Sequence, residues 1–133
     1  MIKVSVIYPG SSSVRFDHQY YRTKHLPLIK RSMGAGLKYY AIDKGLSGGT
    51  AESPATYVAA CHLMCDSIEA YQSSFGPHAK EIRGDIQNFT DVTPIVQISE
   101  VVVENSAKDD TETLQRIPME QSASHNRSGQ VSR

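Results

Sequence analysis

FDHQYYRTKHLPLI, residues 16–29, is the stretch on which the reading of the chain turns. Asp17, Tyr21 and His25 fall at i, i+4 and i+8, one narrow stripe of an α-helix. Phe16, Tyr20, Leu28 and Ile29 stand beside that stripe and form the apolar side expected to face a sheet. The helix is entered near Ser13 or Asp17, runs from about Phe16 to Met33, and is stopped by Gly34 and Gly36. Pro27 cannot donate to the carbonyl of Thr23 and disfavours helical geometry at Leu26. The helix is therefore expected to loosen or kink beside His25.

The segments on either side alternate with period two. IKVSVIY, residues 2–8, sets Ile2, Val4, Val6 and Tyr8 against Lys3, Ser5 and Ile7, the pattern of a first strand ended by Pro9, Gly10 and a run of serines. LKYYAIDKG, residues 37–45, is expected as the second strand and residues 55–65 as the third, with a Gly- and Ser-rich turn between them. Asp66, followed three residues later by Glu69, resembles a capping box and opens a second helix, SIEAYQSSF. Gly76-Pro77 interrupts that helix, HAKEIRGD adds a further turn or two, and DIQNFTDVTP connects to a last strand at residues 94–104. The order strand, helix, strand, strand, helix, strand predicts an α+β ferredoxin-like sandwich, helices on one face of an antiparallel four-stranded sheet. Tyr40, Ile42 and Ile7 are expected to make the other face apolar. Homodimerisation over that face would close a dimeric α+β barrel.

At 133 residues the chain accommodates one ordinary domain. Lys plus Arg number 14 and Asp plus Glu number 14, so the summed charge provides no field to steer nucleic acid or an anionic membrane. No apolar run approaches the roughly 20 residues needed to cross a bilayer, and the N-terminal segment lacks a secretory pattern, so a cytoplasmic location is expected. Residues 1–104 form the expected domain. Residues 105–133 are polar, rich in Ser and without apolar periodicity, which predicts a flexible tail. Cys61 and Cys65, on one strand about 13 Å apart, are too distant for a disulfide and read as buried thiols. His25, His78 and Asp17 are not grouped at ligand spacing, so no metal is expected.

Two short motifs carry a family resemblance. Tyr20, Tyr21, His25, Pro27 and Leu28 meet a YYxxxHxPL pattern, and Asp85, Asn88, Phe89 and Thr90 meet a D-x-x-N-[FY]-T pattern. With the element order, these resemble the EthD-type members of the dimeric α+β barrel superfamily over essentially all of residues 1–104. The resemblance implies a small homodimeric barrel with a ligand cleft between sheet and helices, taking a small hydrophobic or aromatic ligand. Members are named as ether-degradation accessory proteins or as reductases. The wider superfamily includes isomerases, cyclases and cofactor-free monooxygenases, and fold alone does not choose among them.

The residues offer two candidate acid–base constellations. His25, with an unperturbed pKa of about 6.5, can exchange a proton near neutrality, with Tyr21 beside it on the stripe; equally, its ring can cap carbonyls freed by Pro27, such as that of Thr23. Tyr71 and His78 flank Phe75 on the second helix. A cyclase of the same superfamily uses a tyrosine and a histidine at similar places, which implies that Tyr71 binds a developing enolate oxygen and His78 removes a proton. Asp17, Tyr20, Phe75, Tyr40, His62 and Phe89 are the expected substrate-binding side chains, while Asp85 and Asn88 read as loop organisers. Neither G-x-G-x-x-G after the first strand, GxxxxGK[ST] nor HExxH occurs, so no cofactor is expected. The functions left open are a cofactor-free isomerase, cyclase or dehydratase, a non-catalytic binder serving a degradative oxygenase, and a cofactor-free oxygenase, the oxidoreductase reading.

Overall fold

A computed structural model of the chain describes residues 1–107. Met1–Val101 is one compact unit. That unit contains every strand and helix named below, and the tail expected at residues 105–133 lies almost wholly outside the described residues.

Strands β1 (Ile2–Pro9), β2 (Tyr39–Lys44), β3 (Tyr57–Cys65) and β4 (Ile95–Glu100) form one sheet in the order β2-β3-β1-β4, every neighbouring pair antiparallel. Helices α1 (His18–Tyr20) and α2 (Leu26–Met33), joined by a π-helical stretch Tyr21–His25, make the first crossover. Helices α3 (Ile68–Phe75) and α4 (Ala79–Gly84), separated by a 3-10 turn at Gly76–His78, make the second. This is the expected ferredoxin-like α+β arrangement.

The element ends differ from the sequence reading for identifiable reasons. β4 stops at Glu100, not Glu104, because its partner β1 runs out: after the Ile2 and Glu100 pair only Val101 N–H to Met1 O follows, at 3.0 Å. β3 starts at Tyr57, where the register shifts between Tyr8 and Pro9. The second helix is capped by Ser67, whose hydroxyl accepts from Ala70 N–H at 3.0 Å, one residue later than the Asp66 start. A serine at that place leaves Asp66 free to pair with Lys38 at 3.2 Å.

The core lies between sheet and helices. Ile2, Val4 and Tyr8 of β1 sit opposite Cys65, Leu63 and Ala59 of β3, and all six are buried. Tyr40 and Ile42 sit opposite Leu63 and Cys61 and pack on this same core, a correction to the expectation that they build the second face. Directly opposed residues share a face, so the register leaves Tyr39, Ala41 and Asp43 of β2 on the open side. That side also carries Lys3, Ser5, Ile7, Ala60, His62, Met64, Ile95, Gln97 and Ser99, and it is mixed, not apolar. Cys61 and Cys65 are free, buried thiols on the core side.

Candidate functional site

Three connections hold the start of the first crossover against the loop that precedes β4. Asp17 N–H donates to Phe89 O at 2.8 Å, Thr90 Oγ1 donates to Arg15 O at 2.6 Å, and Phe16 and Thr90 form an isolated antiparallel bridge. Outside them, the Arg15 guanidinium donates to Asp91 at 2.9 Å and to Gln87 O at 3.0 Å. Asp17 itself is the helix cap, its carboxylate accepting from Tyr20 N–H at 3.0 Å. A capping aspartate at an exposed helix start satisfies one of the orphan amides there and turns its carboxylate toward backbone.

The loosening expected beside His25 takes the form of a wide turn: Leu26 N–H reaches back five residues to Tyr21 O. In a regular α-helix the ring of Pro27 would press on the carbonyl of Thr23 with no N–H to offer it, and widening the preceding turn relieves that clash. His25 does not cap Thr23. Its Nδ1 instead lies 2.9 Å from Asp85 Oδ2. The other carboxylate oxygen of Asp85 accepts from Tyr20 Oη at 2.7 Å and from Asn88 Nδ2 at 2.9 Å. The two short motifs of the sequence therefore meet in space, and Asp85 joins them.

The surroundings fix the protonation of this pair. His25 is 3% exposed. Burial lowers its pKa, and the hydrogen bond and charge of Asp85 only partly offset that, so the imidazole is neutral near pH 7. Burial works to raise the Asp85 pKa, but the bonds from Tyr20, Asn88 and His25 outweigh it and hold the carboxyl below its ordinary range. A neutral ring beside a carboxylate must carry its proton on Nδ1 and donate it, which leaves the lone pair on Nε2.

Aromatic rings enclose His25. Phe89, fully buried, lies 4.6 Å from it between ring centres, and the Tyr21 ring stacks on it at 5.8 Å and 16°. Tyr8 and Phe16 complete the cluster around Tyr21, at 5.7 and 5.0 Å. The Tyr21 hydroxyl is buried without a hydrogen-bond partner of ordinary geometry among the described residues. Its pKa is raised first by burial and then by the neighbouring Cys61 thiol, itself pushed up to about 12 by burial. Neither group is a source of protons at neutral pH.

The remaining expected residues are dispersed. Tyr71 is half-buried on the core side, its ring 5.2 Å from that of Phe75, and burial raises its pKa. The Arg83 guanidinium lies over the Phe75 ring at 5.8 Å. His78 precedes α4 without a side-chain cap bond, and no hydrogen bond or ring contact joins it to Tyr71 or His25 among the described residues. Tyr40 packs in the sheet core. His62 projects from the opposite face of the sheet, between Ser5 and Asp43. Among the described residues no group of three or more His, Cys, Asp or Glu side chains could hold a metal ion, and no helix is long and apolar enough to cross a membrane. From the sequence, Asp85 and Asn88 read only as turn formers; the signal that they also serve His25 is that the D-x-x-N motif sits immediately before the buried Phe89-Thr90 pair.

Fold and site together define a ferredoxin-like α+β sandwich with a histidine–aspartate pair locked between its first crossover and the loop before its last strand. The chain belongs to the EthD family: the EthD domain matches residues 11–93. The crystal structure of an EthD-like protein from Ralstonia eutropha is 47% identical, with a TM-score of 0.75 over 79% of this chain and 95% of that one. An EthD-family protein from Bacillus halodurans shares the fold at 20% identity, with a TM-score of 0.57 over 75% of this chain and 97% of that one. No curated protein matches the chain.

Proposed function

We propose that the chain is a cofactor-independent enzyme that moves a proton on a small, largely apolar carbonyl, phenolic or lactone compound, in an isomerisation, dehydration or cyclisation. His25 is the acid–base group, acting through Nε2. The observation that carries this reading is the 2.9 Å bond from Nδ1 to Asp85, because a base held in one tautomer by a carboxylate is the arrangement proton transfer needs. The rings of Tyr21, Phe16 and Phe89 supply an apolar wall for a hydrophobic or aromatic ligand. The wide turn at Tyr21–His25, next to a proline without an amide donor, is the segment that yields to admit it. Tyr71 and His78 are assigned a supporting role on the second crossover, with Phe75 at the ligand's far side. Homodimerisation through the open sheet face, and a cytoplasmic location, complete the proposal; the former is supported by the family resemblance and by Ile95, 56% exposed on that face.

Turnover of a panel of enolisable ketones, lactones and phenols tests the reading. His25→Ala is expected to abolish turnover of any compound the parent converts, with the fold intact by circular dichroism. Turnover retained in both His25→Ala and His78→Ala refutes it. The near-complete burial of His25 favours a second reading, a non-catalytic binder serving an oxygenase. A ligand would then raise the melting temperature by mass action and be recovered unchanged.

A further inference from the structure

Helix α3 carries two rings on one stripe. Tyr71 and Phe75 stand one helical turn apart, and their rings stack at 5.2 Å and 26°. Both are half-buried and packed against the core. Ser74 brings α3 close to the turn Gly34–Gly36, where any side chain on Gly36 would collide with it, so the rings have a fixed seat. From α4 the Arg83 guanidinium lies over the Phe75 ring at 5.8 Å.

The polar ends of this group have no partner within the protein. Arg83 is exposed, and among the described residues no carboxylate pairs with it and no acceptor takes up its N–H groups, although Glu81 lies on the same helix. A benzene ring has no lone pair, so the contact with Phe75 pins the cation and leaves its N–H donors unused. The Tyr71 hydroxyl likewise makes no hydrogen bond among the described residues. Burial raises its pKa and the Arg83 charge works against that rise, so at neutral pH it is a hydroxyl within the field of the guanidinium. Water can satisfy any one exposed donor. What singles out this group is that a pinned cation and a second donor without a partner share one aromatic platform. Arg83 offers only donors, and its planar fork matches the two oxygens of a carboxylate. The adjoining rings favour an apolar, flat body behind that carboxylate.

We propose that Arg83, Phe75 and Tyr71 form a binding subsite for a small aromatic carboxylic acid, in which the guanidinium takes the carboxylate, the two rings flank the body, and the Tyr71 hydroxyl donates to a ligand oxygen. The subsite lies on the helix-bearing side of the sheet, away from the face assigned to a second copy of the chain, so that assembly leaves it open. The inference rests on the function proposed above only in placing Phe75 at the ligand's far side, and it narrows that ligand to an acid.

Isothermal titration calorimetry of the full chain with benzoate, phenylacetate and cinnamate, each against its neutral amide, is the test. At least one acid is expected to bind about 10-fold or more tightly than its amide, the order of one charge-assisted hydrogen bond. Arg83→Gln, at an exposed position and checked for folding by circular dichroism, brings the acid down to the affinity of the amide. Arg83→Lys keeps the charge without the fork and recovers part of the difference. Tyr71→Phe weakens the acid by a smaller factor. No binding by any of the three acids, equal affinity for acid and amide, or a folded Arg83→Gln variant that binds the acid as the parent does overturns the proposal. The readout is binding, so the two readings fail separately: a chain that binds acids but converts nothing keeps the subsite and loses proton transfer at His25, and a chain that converts neutral ketones but binds no acid loses the subsite alone.

Discussion

Replacing Asp85 by Asn separates the two things its carboxylate does. In the parent, Oδ1 accepts from Tyr20 and Asn88 and Oδ2 accepts from His25. Asparagine keeps one oxygen for Tyr20 and Asn88 but presents an NH₂ to the ring. The amide then donates to Nδ1, the ring proton moves to Nε2, and the hydrogen-bond count survives with its direction reversed. The energetic loss is the difference between a charge-assisted bond to a buried ring and a neutral one. With charge-assisted bonds worth about 1.5–3 kcal/mol and neutral ones about 0.5–1.5, that difference is about 1–1.5 kcal/mol. Asp85→Ala is more severe, since it strands the Nδ1–H of a buried histidine without an acceptor, at about 1–3 kcal/mol for that group alone. Urea unfolding gives the stability change, and ¹⁵N chemical shifts of the imidazole identify the protonated nitrogen. Where the parent shows turnover, the asparagine variant is expected to lose it by about four orders of magnitude, the cost of the equivalent tautomer inversion in a serine protease. An Asp85→Asn variant that retains Nδ1–H and unfolds at the parent's urea midpoint refutes Asp85 as the group that sets the His25 tautomer.

Three other outcomes follow from the same geometry. Phe89→Ala removes a fully buried ring at the centre of the aromatic cluster and is expected to destabilise the fold by about 3–5 kcal/mol in chemical unfolding. Asp17→Ala removes the cap on Tyr20 N–H and is expected to lose about 1 kcal/mol in the same assay, with the loss recovered by Asp17→Ser. Acidification should destabilise the protein in two windows. Burial depresses the folded-state pKa of His25, so the unfolded chain takes up its proton first, and stability falls as pH drops below about 6.5 toward the folded value. Asp85, also depressed, holds its contribution above about 3.9 and loses it as pH falls further, through its folded value. Melting temperatures across pH 7.5 to about 3 should show both, and His25→Gln should shrink the upper window, leaving the part contributed by His18, whose pKa burial also lowers.

The element order is legible in the sequence because each segment keeps one period along its length: two in IKVSVIY, near four in FDHQYYRTKHLPLI. The face presented by β2 is not. Tyr39 and Tyr40 are adjacent and identical, so alternation cannot say which of them points inward, and a shift of one residue exchanges every side chain between core and surface. Only pairing with β3, where Tyr40 meets Leu63 and Ile42 meets Cys61, decides it. Pro27 announces a disturbed turn, since a missing donor is a property of the residue itself, but whether the helix kinks or widens depends on what His25 bonds to. That partner is 60 residues away. Asp85 and Asn88 look like turn formers from sequence and are turn formers, with Asn88 N–H on Asp85 O at 3.0 Å. Their side chains remain available because the turn is closed by the backbone, which frees the carboxylate for Tyr20 and His25. The Ser5, His62 and Asp43 row is hidden for the same reason as the face of β2. Each is one polar residue within a strand, and they come within hydrogen-bond reach only when register sets Ser5 against His62 and places Asp43 two positions along from it. Side chains whose chemistry depends on their own element are therefore readable in the sequence, and those whose chemistry depends on a partner strand or a distant loop require the fold.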